Sequence, residues 1–305
     1  MNISQLRYLV AVADERHFGR AAEKCNVSQP TLSTQLKKLE DYLGAVFFER
    51  TNKSVDITPV GERAVAHARR ALEEVEAIRA VSRGAGAQLA GPLSVGIIPT
   101  LCPYIIPWLL PRLSTAFPAL ELRVIEDVTA NVVAQLHDHR LDAVLIAIPS
   151  HEPAVAELAL FDEPFWVACP KDHPLARAEA ISLKELQRET ILYVSEGHCL
   201  RDQTIAVCGA HGRREAARTD AFKGASLETL RRMVAASMGF TLLPAMALDS
   251  ADAVQAQIAC RPFAGKAYRR IGLVFRDSYP RADDMQRLAQ CIREAAPASV
   301  MPVPE

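Results

Sequence analysis

Net charge is nearly absent: 35 Lys and Arg stand against 36 Asp and Glu, a formal −1. Whole-chain electrostatics therefore give no sign of nucleic acid, and any such sign must come from local pattern. A secretory leader is not expected, because Arg7, Asp14, Glu15 and Arg16 interrupt the apolar N-terminal stretch too early. A membrane span is lacking too. Residues 91–111 carry no formal charge, but Pro92, Pro99, Pro103, Pro107 and Pro111 would cost a lipid-exposed helix too many backbone hydrogen bonds. That stretch reads instead as a buried strand, a turn and the start of a helix. The cysteines lack any disulfide-framework spacing: there are seven, an odd and scattered set without a Cys-x-x-Cys pair. This excludes a secreted scaffold and points to the reducing cytoplasm, where a disulfide is transient and functional. A Gly-rich phosphate loop and a metal-ligand cluster are missing as well, so no cofactor and no metal are expected.

What is present is a chain of 305 residues, half apolar and 23% charged, enough for two or three domains with real cores. Leu6, Leu9, Val10 and Ala13 have helical spacing over residues 4–13. Residues 19–25 make a short helix with Ala21, Ala22 and Cys25 inward. Asn26-Val27-Ser28 is a tight turn in which Ser28 caps the next helix, and Pro30 sits early where its missing N–H costs little. Leu32, Leu36, Leu39 and Leu43 then repeat until Gly44 ends the helix. Two apolar runs, Phe47-Phe48 and Val55-Asp56-Ile57, flank the polar turn 51–54 and predict a β-hairpin. Thr58 caps a long helix to about Ser82. Its positions Val65, Ala68, Leu72, Val75 and Ile78 form a coiled-coil-like seam suited to pairing with a second copy. Gly84 to Pro92 reads as a hinge. Beyond it, strands alternate with helices (strands near 93–98, 120–126, 143–148, 240–243 and 271–275), which predicts α/β architecture with a mostly parallel sheet.

The N-terminal order of elements is that of a winged helix-turn-helix. Such a unit needs a second helix with small polar residues on its exposed N-terminal face to reach base edges. Gln29, Pro30, Thr31, Ser33, Thr34 and Gln35 fit. Lys37 and Lys38 stand where phosphates pass, and Arg50 and Lys53 sit at or near the hairpin tip as wing contacts. Residues 1–58 hold eight Lys/Arg and seven Asp/Glu, so taken singly each polar residue reads as part of a solvated face. Only the ordered combination is specific for double-stranded DNA.

A second chemically loaded stretch is Glu196-Gly197-His198-Cys199-Leu200-Arg201-Asp202-Gln203, with Cys208 nine positions after Cys199. The thiolate is the form of cysteine that reacts with peroxides. His198 and Arg201 offer positive charge, Gly197 suits a turn placing Cys199 at a helix start, and Asp202 can orient the cations or handle protons. In a helix the two Cα atoms would lie about 13 Å apart on opposite faces, whereas a disulfide needs them within about 7 Å. A 199–208 bond therefore requires any helix there to unwind, a two-state element. Taken singly, each cysteine reads as a buried, inert packing residue; the motif together with a second Cys favours the redox reading. The remaining Cys25, Cys169, Cys260 and Cys291 lie in apolar surroundings and are assigned to packing.

The run HFGRAAEKCNVSQPTLSTQLKKLEDYLGAVFFER, followed by ITPVGE, resembles the N-terminal domain of LysR-type transcription regulators. EGHCLRDQ with its later Cys, SLETLRRMVAA and TLLPA resemble the hydrogen-peroxide sensors of that family. The resemblance implies a winged helix-turn-helix at 1–58 and a linker and dimerisation helix with hinge at 59–90. It further implies a two-lobed, periplasmic-binding-protein-like α/β sensor at 91–305. Lobe I would span about 91–161 plus 268–305, and lobe II about 162–267. It implies that Cys199 is the peroxidatic cysteine and Cys208 the resolving one, with Thr100 and Thr129 beside the peroxide. Both threonines are equally plausible helix N-caps. Arg269 or Arg270 adds cationic charge there. The resemblance also implies homodimers and homotetramers, recruitment of RNA polymerase to antioxidant genes, and re-reduction by cytosolic thiols. Cys102 departs from the family, which typically has glycine there, and a packing role is the expectation. Two other readings compete: a metabolite-sensing member of the family with incidental cysteines, and a thiol peroxidase carrying a DNA-binding domain. The expectation is a cytoplasmic regulator and not an enzyme.

Overall fold

A computed structural model describes residues 1–50, 55–82, 89–218, 226–249, 254 and 256–303, apart from the side chains of 50, 80–82 and 210–218. The chain divides into two compact units. One comprises Met1–Ala87 with 138–140 and 279–281, and the other comprises the remainder.

In the first unit α1 (Ile3–Glu15) opens on a capping box: the Gln5 N–H donates to Asn2 Oδ1 at 2.9 Å and Gln5 Oε1 accepts the Asn2 N–H at 3.0 Å. His17 caps α2 (Phe18–Lys24) through Nδ1, which accepts from Gly19 and Arg20 N–H. Ser28 caps α3 (Gln29–Leu43), and Gly44 closes it at φ 64°, where a side chain would be strained. Leu32, Leu36 and Leu39 project from α3 into a core with Leu9, Val12, Ala21 and Phe47. Each buried leucine contributes about 1.5–3 kcal/mol. The hairpin β1 (Phe48–Arg50) and β2 (Val55–Ile57) pairs antiparallel, with Arg50 opposite Val55. Thr58 Oγ1 accepts the Gly61 N–H and caps α4 (Pro59–Ser82). Gly61 is required by close approach, since a Cβ there would lie 2.3 Å from the Phe47 carbonyl oxygen.

One expectation for α4 is corrected. Val65 and Ala68 are buried in this unit's own core, because α4 packs along α1, and they are not part of a seam for a second copy. Leu72 and Val75 are half-buried, and Ile78 is 69% exposed. The expected hinge falls mostly outside the described residues, and Gly91 already begins the next strand.

The second unit starts with β3 (Gly91–Ile97), α5 (Cys102–Ala116), β4 (Leu120–Glu126), α6 (Thr129–His137) and β5 (Ala143–Ile148). A long strand, β6 (Val155–Pro170), leads to α7 (Leu183–Leu186), α8 (Cys199–Arg218) and α9 (Leu227–Ala235). β7 (Thr241–Pro244), β8 (Ile258–Pro262), β9 (Tyr268–Arg276), α10 (Ala282–Ala295) and β10 (Met301–Pro302) complete it. The main sheet runs β10-β6-β9-β5-β3-β4.

The sheet is not mostly parallel. Among the described strands only β3–β4 and β3–β5 pair that way. The βαβ alternation of residues 91–148 produces those two, while β9 runs antiparallel to β5 and β6, and β7 and β8 antiparallel to β6. The strand β6 builds two layers. Residues 155–164 pair with β9, and from Phe165 onward it pairs with β7 and β8. Pro164 marks the change of partner, and Asp162 and Glu163 stand just before it.

Candidate functional site

Most of the residues expected to meet DNA lie on α3. Gln29, Pro30, Thr31 and Thr34 are exposed, Ser33 and Gln35 half-buried, and Lys37 and Lys38 exposed. Capping by Ser28 fixes the first turn, where Thr31 Oγ1 lies 2.8 Å from Ser28 Oγ. Gln35 turns to α1 instead: its Oε1 accepts from Gln5 Nε2 at 3.3 Å. Lys37 Nζ sits 3.0 Å from Asp41, one turn on, in a fully solvated pair. Arg50 ends β1, and its side chain, like all of Lys53, lies outside the described residues. The exposed N-terminal face of α3 can thus offer small donors and acceptors to base edges, with lysines flanking it for phosphates.

The second site is the start of α8. Gly197 adopts φ 93°, and a Cβ there would lie 3.8 Å from Val128, so this loop abuts the entry to α6. Cys199 is the first residue of α8 and is half-buried, while Leu200 anchors the turn in an apolar cluster that includes Tyr104, Phe165 and Leu243. His198 is half-buried, and desolvation holds its imidazole below the usual range. That desolvation works against the positive charge expected of this ring. The Arg201 guanidinium is 3.2 Å from Glu196, and Asp202 is an exposed residue of the first helical turn.

Cys208 lies nine residues further along α8 and is fully buried among Cys169, Ile191, Tyr193 and Leu242. Burial pushes its thiol up to about 11, against a smaller opposing pull from the Tyr193 hydroxyl. Both cysteines are free thiols. With the intervening residues helical, their Cα atoms are about 13 Å apart. Gly209 follows at φ 61° and ψ −136°, and this break ends the regular helix directly after Cys208.

Neither threonine is a helix cap. α5 begins at Cys102 after Leu101, without a side-chain cap, and α6 begins at Thr129 itself. Thr100 is buried instead against Arg269, whose Nη1 donates to Thr100 Oγ1 and whose Nη2 donates to the Thr100 carbonyl, each at 2.9 Å. Arg269 is in turn held by Glu163, its Nε donating to Oε2 at 2.8 Å. Arg270 points the other way and pairs with Asp162 at 2.7 and 2.8 Å. Thr129 Oγ1 and Gln203 Oε1 are buried atoms without a hydrogen-bond partner among the described residues. Gln203 carries a signal that sequence reasoning passed over: it stands one helical turn after Cys199, on the same face. Glu163 had no such signal, since its partner is 106 residues away. Cys102 is buried, and its thiol is pushed up to about 12 by desolvation first and by Glu126 second, which suits packing.

The chain matches the bacterial regulatory helix-turn-helix of the lysR family over residues 3–62 and the LysR substrate binding domain over 86–297. It is 42% identical over 293 residues to the DNA-binding transcriptional dual regulator OxyR of Escherichia coli K12, covering 96% of this chain and 95% of that protein. To the hydrogen peroxide-inducible genes activator of Haemophilus influenzae it is 37% identical, covering 96% and 97%. The structure of full-length OxyR C199D from Pseudomonas aeruginosa superposes with a TM-score of 0.82 at 39% identity, covering all of this chain and 98% of the other.

Proposed function

The chain belongs to the LysR family of bacterial helix-turn-helix regulators, and on that premise we propose that it is a hydrogen-peroxide sensor whose signal is written as a disulfide between Cys199 and Cys208. The observation that carries this reading is the placement of the two thiols. One opens α8 at a half-buried position; the other, nine residues on in the same helix, is sealed in the core. It is also supported by the buried oxygens of Thr129 and Gln203, which have no hydrogen-bond partner among the described residues, and by Thr100, which is held by a cation.

In the first step the Cys199 thiolate attacks one peroxide oxygen. An S–O bond forms, the O–O bond breaks, and the departing hydroxide takes a proton and leaves as water, giving the sulfenic acid. In the second step the Cys208 thiolate attacks that sulfur; the S–S bond forms as the S–O bond breaks, and the departing hydroxide takes a proton and leaves as a second water. Because a disulfide needs Cα atoms within about 7 Å, α8 must unwind between the two. Cytosolic dithiols reverse the change. No resident cofactor or metal takes part; peroxide is the signal and the disulfide its record.

The helix-turn-helix binds DNA. Homodimers, associated as homotetramers, place several α3 helices on one operator, and the oxidised arrangement recruits RNA polymerase. The near-neutral charge of the first unit favours such multivalency over single-copy affinity. The chain works in the cytoplasm, and it records peroxide stoichiometrically and does not turn it over. Among the described residues no helix is long and apolar enough to cross a membrane.

Mass spectrometry after equimolar peroxide tests the assignment. A 199–208 disulfide, reversed by dithiol and abolished by Cys199→Ser, is the expected result. A Cys199 that stays reduced refutes it. With excess dithiol, sustained peroxide consumption at enzymatic rates favours the peroxidase reading.

A further inference from the structure

Glu163 is fully buried, and every oxygen of its carboxylate is committed. Oε2 accepts from Arg269 Nε at 2.8 Å with Nη2 also 2.8 Å away, and Oε1 accepts the Met246 N–H at 2.9 Å. The residue stands in β6 directly opposite Arg269 in β9, one position before the strand changes sheets at Pro164. The pair is thus set by strand register, and the adjacent Asp162–Arg270 pair repeats the clamp on the other face. What remains of the Arg269 fork is aimed at Thr100: Nη1 on the hydroxyl oxygen, Nη2 on the carbonyl.

A hydroxyl that accepts from a guanidinium must send its own hydrogen elsewhere. We propose that Glu163 is a positioning residue for the peroxide step: it locks the Arg269 fork onto Thr100, so that the Thr100 hydroxyl is a fixed donor to the peroxide oxygen that departs as hydroxide. This rests on the peroxide-sensing reading given above, in which Thr100 stands beside the peroxide. The departing oxygen gains negative charge as the O–O bond breaks, and a donor fixed before the reaction stabilises that charge without reorganising. Without Glu163 the guanidinium has no in-plane partner to hold the fork, and the Thr100 hydroxyl regains its rotation. Glu163 touches no reacting atom and acts only through Arg269 and Thr100.

The test compares two electrophiles on Cys199 in the full-length chain. Hydrogen peroxide needs a donor for its leaving oxygen; iodoacetamide, whose leaving group is iodide, does not. Glu163→Gln is expected to slow the peroxide reaction about 10- to 100-fold while alkylation at the same pH changes less than about threefold. Thr100→Val is expected to behave the same way, and the Glu163→Gln/Thr100→Val double variant to be no slower than Thr100→Val alone. Should Glu163→Gln not fold, the paired Glu163→Met/Arg269→Met variant removes both buried charges together, and the same split between electrophiles is expected. The proposal is overturned by a peroxide rate equal to that of the unmodified chain, by equal slowing with both electrophiles, or by independent, multiplying effects of Glu163→Gln and Thr100→Val. An unmodified chain whose Cys199 ignores peroxide overturns the sensing reading itself, an outcome distinct from a reactive chain indifferent to Glu163.

Discussion

Replacing Gly209 by alanine is expected to make the regulatory disulfide harder to reduce. Gly209 sits directly after Cys208 at φ 61° and ψ −136°, a backbone region that an L side chain rarely enters. A Cβ there would meet nothing within 4 Å, so the cost of alanine is backbone strain alone, with no clash. That strain is about 1–3 kcal/mol. It falls on the reduced form, in which α8 runs to Cys208 and breaks at Gly209. In the proposed oxidised form the segment must be rebuilt to bring Cys208 to Cys199, and Gly209 is released from this conformation. Destabilising the reduced form disfavours reduction, so the potential becomes more negative. At about 30 mV per 1.4 kcal/mol for a two-electron couple, the shift is roughly 20–65 mV. Equilibration against dithiol buffers of known ratio, acid quenching, alkylation and quantitation of the linked 199–208 peptide read it out. An unchanged or less negative potential would refute the claim that oxidation rebuilds the backbone at Gly209.

Burial holds the His198 imidazole below its unfolded value of about 6.5, so the unfolded chain takes up this proton first. The stability tied to the neutral ring is complete above the unfolded value and is lost as pH falls from there through the folded one. Urea midpoints at pH 7.5 and 5 should differ less in His198→Asn than in the unmodified chain. Lys37→Ala should weaken DNA binding and reduce the slope of log K against log salt by about 0.9; titrations at several salt concentrations measure it, and an unchanged slope removes Lys37 from the phosphate contacts. Cys208→Ser should accumulate sulfenic acid, trapped by dimedone, as fast as the unmodified chain loses its Cys199 thiol. A slower first step would mean that Cys208 assists the attack on peroxide.

The first unit was readable almost residue by residue, for a physical reason. Its elements are bounded by local chemistry: Ser28 at a cap, Gly44 at a left-handed stop, Thr58 at another cap, leucines at three- and four-residue spacing. The same periodicity misled at α4. Val65 and Ala68 have the spacing of an intermolecular seam, but α1 of the same unit occupies that face, and period alone does not say which surface covers a stripe. In the second unit the βαβ part was legible. The long strand β6 was not, because Asp162, Glu163 and Pro164 interrupt its apolar run at the point where it passes between sheets. The helical start at Cys199 followed from Gly197, whereas the downward pull on the His198 imidazole comes from desolvation, which no local pattern reports. The choice between Arg269 and Arg270 likewise waited on strand register: adjacent residues in β9 face opposite ways, and only one of them meets Thr100.

Burial also imposes an order on the proposed chemistry. A Cys208 thiol pushed up to about 11 is ionised in only about one molecule in ten thousand at pH 7, and it is fully buried besides. Peroxide in the folded, reduced chain therefore meets Cys199 first. The second thiol becomes a nucleophile only by leaving its apolar cluster, which both exposes it and lowers the desolvation cost of its thiolate. Opening of α8 thus does two things in one movement: it shortens the distance between the cysteines and activates the one that must attack. Peroxide enters only the first step, so disulfide closure should proceed at a rate independent of peroxide concentration once Cys199 is oxidised. A segment that closed in a single peroxide-dependent event would have both thiols exposed at the outset. The burial of Cys208 in the apolar cluster that includes Tyr193 and Leu242 is what keeps the two steps apart.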